Sequence, residues 1–325
     1  MSVSDAVAVP DAAPPARDGS LAIGLAVLVA IALVPFVFGQ ALAPLAMRAM
    51  LLAIAAISLD LLIGRAGLVS FGHAAFVGIG AYATGIALEE GLSNGLLIAL
   101  LAVLSAAAFA LVTGALALRT RGVAFIMITL AFGQMAFFTF SSLAAYGGDD
   151  GLTLWNGPDL FGTGWLSARG GLYFLVLAVL AAVWWLVARI AGSRFGRVLA
   201  AAKDNEGRVA AMGFEVNRFR LVAYVIAGAI AGLAGFLHAS NAEFVSPAAA
   251  TWQHSGELIV VVVLGGTGTR NGALLGALAL VGLEELLGLV VDDWRLLLGP
   301  FLVAVALFST GGIVGAFARL RGLRR

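Results

Sequence analysis

The 325-residue chain contains no cysteine, which excludes disulfides, thiolate metal sites and cysteine nucleophiles. Charge is nearly as scarce: 11% of residues are Asp, Glu, Lys or Arg, against about 25% in soluble domains. The net charge of +1 supplies no field that would attract nucleic acid. Three histidines, His73, His238 and His254, form no HExxH or Ser–His–Asp pattern, so no catalytic residue and no metal site are expected. The stretch GGTGTRNG (265–272) lacks the GK[ST] ending of a phosphate loop, so any ATP used must be bound elsewhere. What remains is apolar. The chain is 62% hydrophobic, its mean hydropathy is +1.04, and its 42 glycines suit helices in close contact.

A bilayer crossing takes about 20 apolar residues. On that measure the fold class is an all-α polytopic membrane protein of about ten transmembrane helices, some discontinuous. The expected spans are 21–39, 44–64, 66–88, 96–118, 122–146, 171–191, 221–240, 256–264, 272–290 and 295–318. The eighth is short and ends in Gly265-Gly266-Thr267-Gly268, the mark of a half-helix, which membrane depth tolerates only under the cover of protein or a cavity. The organisation follows: a flexible tail at 1–20, a membrane domain at 21–318 and a basic tail at 319–325.

Orientation rests on the excess of Lys and Arg in cytoplasmic loops. With both termini in the cytoplasm, only Arg48, Arg169 and Arg295 of the nineteen basic residues fall outside, and the opposite orientation reverses that split. The long connection 147–170 is then external and 192–220 is cytoplasmic. Long loops are where partners are expected to touch.

Two segments carry a more specific signal. In Ser70-Phe71-Gly72-His73, Ser70 and His73 are spaced to share one helical face. The segment reads either as a broken helix lining a pathway or as a tightly packed structural helix. Residues 198–212 are helix-compatible, with Gly213 as the stop, and suit docking into a groove of a soluble partner or a solvated charged loop. Of the acidic residues inside spans, Asp60 lies near Arg65, while Glu257, Glu284 and Glu285 are expected to face protein or water.

Five segments in order resemble the permease subunits of branched-chain amino acid ABC importers of the LivM type. They are LDLLIGRAGLVSFGHAAFVGIGAYATG (59–85), RTRGVAFIMITLAFGQM (119–135), YGGDDGL (146–152), RFGRVLAAAKDNEGRVAAMGF (194–214) and ELIVVVVLGGTGTRNGALLGA (257–277). The resemblance implies a bacterial inner-membrane subunit paired with a second permease, two cytoplasmic ATPases that bind ATP and magnesium, and an external solute-binding protein. This chain would bind no cofactor itself. Ser70, Phe71, Gly72, His73, Thr129 and Gln134 would lie along the substrate pathway. Lys203, Asp204, Asn205, Glu206, Arg208, Met212 and Gly213 would form the coupling segment that meets the ATPase. Related permeases handle urea or short amides, and a stand-alone channel or secondary transporter is the alternative from a different class.

Overall fold

A computed structural model describes residues 19–39, 41–155, 157–158, 169–289, 299 and 311–315. Eleven helices follow one another in the described residues: α1 (Gly19–Val37), α2 (Ala43–Asp60), α3 (His73–Glu89), α4 (Gly95–Ala117), α5 (Val123–Ser142), α6 (Arg169–Gly192), α7 (Arg194–Asp204), α8 (Glu206–Ala211), α9 (Val216–Ala242), α10 (Trp252–Gly265) and α11 (Gly272–Gly288). The fold is all-α and membrane-spanning. Among the described residues five helical runs are long and apolar enough to cross a bilayer: Ala43–Ala66, Gly95–Ala117, Val123–Ser142, Gly170–Gly192 and Val216–Ala242. Most of the expected tenth span, both tails and residues 159–168 of the external connection lie outside the described residues.

Lipid is as apolar as leucine, so helices in a bilayer associate by close packing rather than by escape from water. The glycines here perform that task. On α9, Gly232 lies so close to α3 that a Cβ added at Gly80 would sit 2.0 Å from the Gly232 carbonyl oxygen. One turn on, a Cβ at Gly235 would sit 2.0 Å from the Val77 carbonyl oxygen. The same helix meets α4 through Gly228 against Ala110 and Gly232 against Ala106. Thus α9 forms the middle of the bundle, with α3 and α4 laid along it, and α2 is the other interior helix.

Two expectations fail at backbone level. The run 66–88 is not one span, and Ser70 does not share a helical face with His73. After α2 the chain makes a π-helical turn, Leu61–Ala66, and Gly67 ends it with φ of 69°. Residues 67–70 are then non-helical, a turn follows at 71–72, and α3 begins only at His73. Left-handed backbone is cheap for glycine alone, and hydropathy does not register it. The second failure is 198–212, which is two helices broken at Asn205. The Asn205 backbone is extended, with φ of −155°, and its side chain accepts from the Arg208 N–H at 3.0 Å to cap α8. Gly213 does end the second helix, with φ of 88°. The short helix before Gly265-Gly266 is present as the 14-residue α10.

At the end of the bundle where α3 and α9 finish, Leu152–Thr153 and Phe244–Val245 form a two-stranded antiparallel pair. The Tyr146 hydroxyl donates to Glu90 Oε1 at 3.0 Å. That hydrogen bond to a carboxylate raises the Tyr146 pKa above its ordinary value.

Candidate functional site

The Ser70–His73 segment is pinned from three helices. Phe71 N–H donates to Thr129 Oγ1 of α5 at 3.2 Å, and Ala74 N–H donates to Ser255 Oγ of α10 at 3.0 Å. His73 Nε2 lies 2.7 Å from Ser58 Oγ of α2, whose hydroxyl donates to the Ala55 carbonyl at 2.7 Å. Helix N-termini leave N–H groups without intrahelical partners, and here side chains on α5 and α10 satisfy two N–H groups of this segment. Gly72 permits the approach, since a Cβ there would fall 2.2 Å from the Thr129 carbonyl oxygen.

Of the six expected pathway residues, Ser70, Gly72, His73 and Thr129 are buried, while Phe71 and Gln134 are half-buried. Phe71, Gly72 and Thr129 are in direct contact. Gln134 stands further along α5, on the side flanked by exposed Met127, Ala131, Met135 and Phe138. Among the described residues the Gln134 amide has no hydrogen-bond partner. Ser58 and Ser255 were not picked out from sequence, because one serine in an apolar helix gives no periodic signal.

The segment 193–215 forms a second cluster at the opposite end of the bundle from the strand pair. Ser193 caps α7 by accepting from Gly196 N–H at 3.2 Å. Asp204, Arg208, Met212 and Gly213 are exposed, as is Phe214. Two of its charges turn back onto this chain. Glu206 bridges Arg121 at 2.7 Å and Arg220 at 3.0 Å, joining α8 to the α4–α5 turn and to α9. The Lys203 ammonium donates to the carbonyls of Ile63 at 3.4 Å and Gly64 at 3.1 Å.

The acidic residues within helices are engaged as well. Asp60 is buried and accepts from Gly268 N–H at 2.7 Å. Glu284 is buried and pairs with Arg48 at 2.6 Å, whereas its neighbour Glu285 is exposed. Glu257 lies 3.0 Å from His254 Nδ1. In the 265–272 loop Arg270 stacks 4.6 Å over the Trp184 ring, and Trp184 Nε1 donates to Asn271 Oδ1 at 3.0 Å. Those contacts occupy the features that resembled a phosphate loop. A cavity of about 570 Å³ opens near the ends of α1 and α9 and the starts of α2 and α6, with Tyr173, Ser240 and Asn241 in its wall. None of the expected pathway residues lines it. No group of three or more metal-ligating side chains occurs among the described residues.

Close-packed apolar helices, a half-length helix ending in a glycine loop and a polar segment pinned within the bundle define a polytopic helical membrane protein. Comparison with known proteins specifies which kind. Residues 41–317 match the family profile described as branched-chain amino acid transport system / permease component, and the chain belongs to that family. It is 28% identical over 328 aligned residues to the high-affinity branched-chain amino acid transport system permease protein LivM of Escherichia coli K12, covering 92% of this chain and 77% of that protein. The LivM protein of Salmonella typhimurium is 29% identical over the same shares. A shorter match, 36% identical over 36% of this chain and 34% of the relative, is to the autoinducer 2 import system permease protein LsrC of Klebsiella pneumoniae. No solved structure matches the chain.

Proposed function

We propose that this chain is one permease subunit of an inner-membrane ABC importer for branched-chain amino acids. The observation that carries the reading is the similarity to LivM along 92% of the chain. A second, shorter permease completes the membrane pathway, two cytoplasmic ATPases bind ATP and magnesium, and an external binding protein delivers the solute. The chain itself is non-catalytic. Both termini and the 193–215 segment lie in the cytoplasm, the orientation that the basic residues favour. The ten-span count includes the tenth, C-terminal helix.

The pathway runs along the uncovered face of α5. Gln134 supports this, because an amide without a partner is costly against hydrocarbon but is satisfied by water or by a passing polar solute. Thr129, Phe71 and Gly72 set the position of α5 against α3, and Ser70 and His73 back that contact from within. A branched-chain amino acid is a zwitterion with an apolar side chain. A wall of Met127, Met135 and Phe138 interrupted by one amide suits its transit without a fixed ion pair. Asp204, Arg208, Met212 and Gly213, presented on the cytoplasmic surface around the Asn205 cap, supply the face that meets the ATPase, while Lys203 and Glu206 hold that face to the bundle.

The test is uptake by the reconstituted importer, with its own binding protein, of labelled leucine, isoleucine, valine, urea and acetamide. ATP-dependent accumulation of the three amino acids is expected. Accumulation of urea or acetamide alone establishes the related amide importers instead, and accumulation without ATPase subunits establishes a stand-alone transporter.

A further inference from the structure

The π-helical turn at Leu61–Ala66 stands between two elements that do not otherwise explain each other: the 193–215 segment and the glycine loop joining α10 to α11. On one side, Gly67 N–H and Leu68 N–H both turn back to the Leu62 carbonyl. The Ile63 and Gly64 carbonyls are taken by the Lys203 ammonium, whose stem lies over Gly67, with Cγ 3.0 Å from where a Cβ would be. On the other side, Gly64 meets Gly268 backbone to backbone. A Cβ at Gly64 would fall 2.4 Å from Gly268 Cα. Asp60, one residue before the turn, receives the Gly268 N–H on Oδ1 at 2.7 Å. Three contacts therefore run in series from Lys203 to Gly64, from Gly64 to Asp60 and from Asp60 to Gly268, with a direct backbone contact between Gly64 and Gly268 beside them.

The loop at the far end is built to hold one shape. Gly266 and Gly268 both have positive φ, at 115° and 71°, and Thr269 Oγ1 donates to the Gly266 carbonyl at 2.8 Å. The loop is also anchored to α6 by the Arg270 and Asn271 contacts with Trp184, and α6 leads through Ser193 directly into α7. The loop is thus connected to α7 from both sides, through the π turn and through α6. The π turn ends the α2 run at Gly67, and a helix C-terminus leaves its last carbonyls without intrahelical partners, which is where the ammonium reaches Ile63 and Gly64.

We infer that Lys203 and Asp60 are positioning residues that relay movement of the 193–215 segment to the 265–272 loop through the π turn. The inference rests on the reading of 193–215 as the ATPase-coupled segment and assigns the internal route by which its movement reaches the membrane. Lys203 then acts toward this chain rather than as an ATPase contact.

The absence of cysteine makes the test direct. Thr267 is exposed in the loop beside Gly268, so T267C supplies the chain's single thiol. Its maleimide labelling rate is followed by mass spectrometry of that peptide in the assembled importer in nanodiscs, without nucleotide and with ATP plus orthovanadate. Residues on a coupling route change coupling by about 2- to 30-fold. Nucleotide arrest is expected to change the T267C rate by that order, and K203M or D60A to reduce the change to under about twofold with ATPase subunits still bound and hydrolysing. D60N keeps an oxygen acceptor for Gly268 N–H and is expected to retain the response. A full response in K203M, or D60N behaving like D60A, overturns the relay. Loss of bound ATPase in K203M also overturns it, by making Lys203 a docking residue. Should K203M not accumulate, the contrast between D60N and D60A decides alone. Failure of the importer reading would appear separately, as no ATP-driven uptake by the unsubstituted importer.

Discussion

Helices α4 and α5 are neighbours of similar length, and each has only 28% of its most apolar window buried. Their uncovered faces differ in kind. On α4 the exposed positions are Leu96, Leu97, Leu100, Leu101, Leu104, Leu111, Val112 and Leu116 among alanines. Its two hydroxyls both donate to its own backbone, Ser105 to Ala102 O and Thr113 to Phe109 O, as Thr129 on α5 does to Ile126 O, and Thr113 also meets the Tyr224 hydroxyl of α9. On α5 the exposed face carries Met127, Met135, Phe138 and Thr139, with half-buried Gln134 among them. Its buried threonine serves another element, since Thr129 accepts the Phe71 N–H. Equal burial therefore conceals one face of leucine, valine and alanine and another that carries an amide with no hydrogen-bond partner among the described residues. Mean hydropathy separates the two, 2.7 for α4 against 1.9 for α5, and the placement of the few polar atoms shows where the difference lies.

The comparison can be broken most sharply by charge. Leu104→Arg on α4 is expected to cost about 2.5–3.5 kcal/mol of insertion free energy and to deplete the inserted chain, measured by glycosylation-site or protease mapping. Ala131→Arg on α5 is expected to leave insertion near normal in the assembled importer while abolishing uptake. Equal depletion by both would place α5 in lipid. A smaller contrast lies in the threonines. Thr129→Val leaves the Phe71 N–H without its acceptor, at a cost of about 1–3 kcal/mol. Thr113→Val removes the bond to the Phe109 carbonyl in its own turn and the hydrogen bond with the buried Tyr224 hydroxyl and is expected to cost about 1 kcal/mol, both read from thermal unfolding of the purified complex. Smaller again is Gln134→Leu, expected to slow amino-acid uptake about fivefold, equivalent to roughly 1 kcal/mol, with unchanged thermal stability. Unchanged uptake would remove Gln134 from the pathway.

The smallest effect concerns the loop beyond α5. Because the Tyr146 pKa is raised by donation to Glu90, that bond is present below the ordinary tyrosine pKa and is lost as pH rises through the higher folded value. Ultraviolet titration should show the Tyr146 component moving to lower pH in E90Q. A stationary midpoint would discount the bond.

How far the fold could be read from the chain differed between these regions for physical reasons. Long apolar runs marked α4, α5 and α6 to within a few residues, because bilayer thickness sets their length. The stretch 59–85 hid a π turn and a break, since the few polar residues that interrupt it, Asp60, Arg65, Ser70 and His73, do not mark where the backbone changes, at Gly67 and Gly72. Asn205 was a cap written as one polar residue in a polar segment, and nothing in composition distinguished it from its neighbours. For the candidate site the sequence supplied the residues but not their contacts. The grouping of Phe71 and Gly72 with Thr129 links sequence stretches 58 residues apart, and the Lys203 and Asp60 contacts span 139 and 208 residues. Partners at such separations are set by how helices pack, which no local pattern encodes.

The glycine seam between α3 and α9 has a consequence for how the subunit can move. At Gly80 and Gly235 two backbones touch with no layer of side chains between them to slide or change rotamer. Such a joint has no intermediate positions: it is either closed or parted, and parting it forfeits its packing at once. Helices α3, α4 and α9 are therefore expected to move together, as one plate. Movement during transport is then expected at its margins, where Thr129 of α5 holds the Phe71 N–H on one side and Asp60 holds the Gly268 N–H on the other.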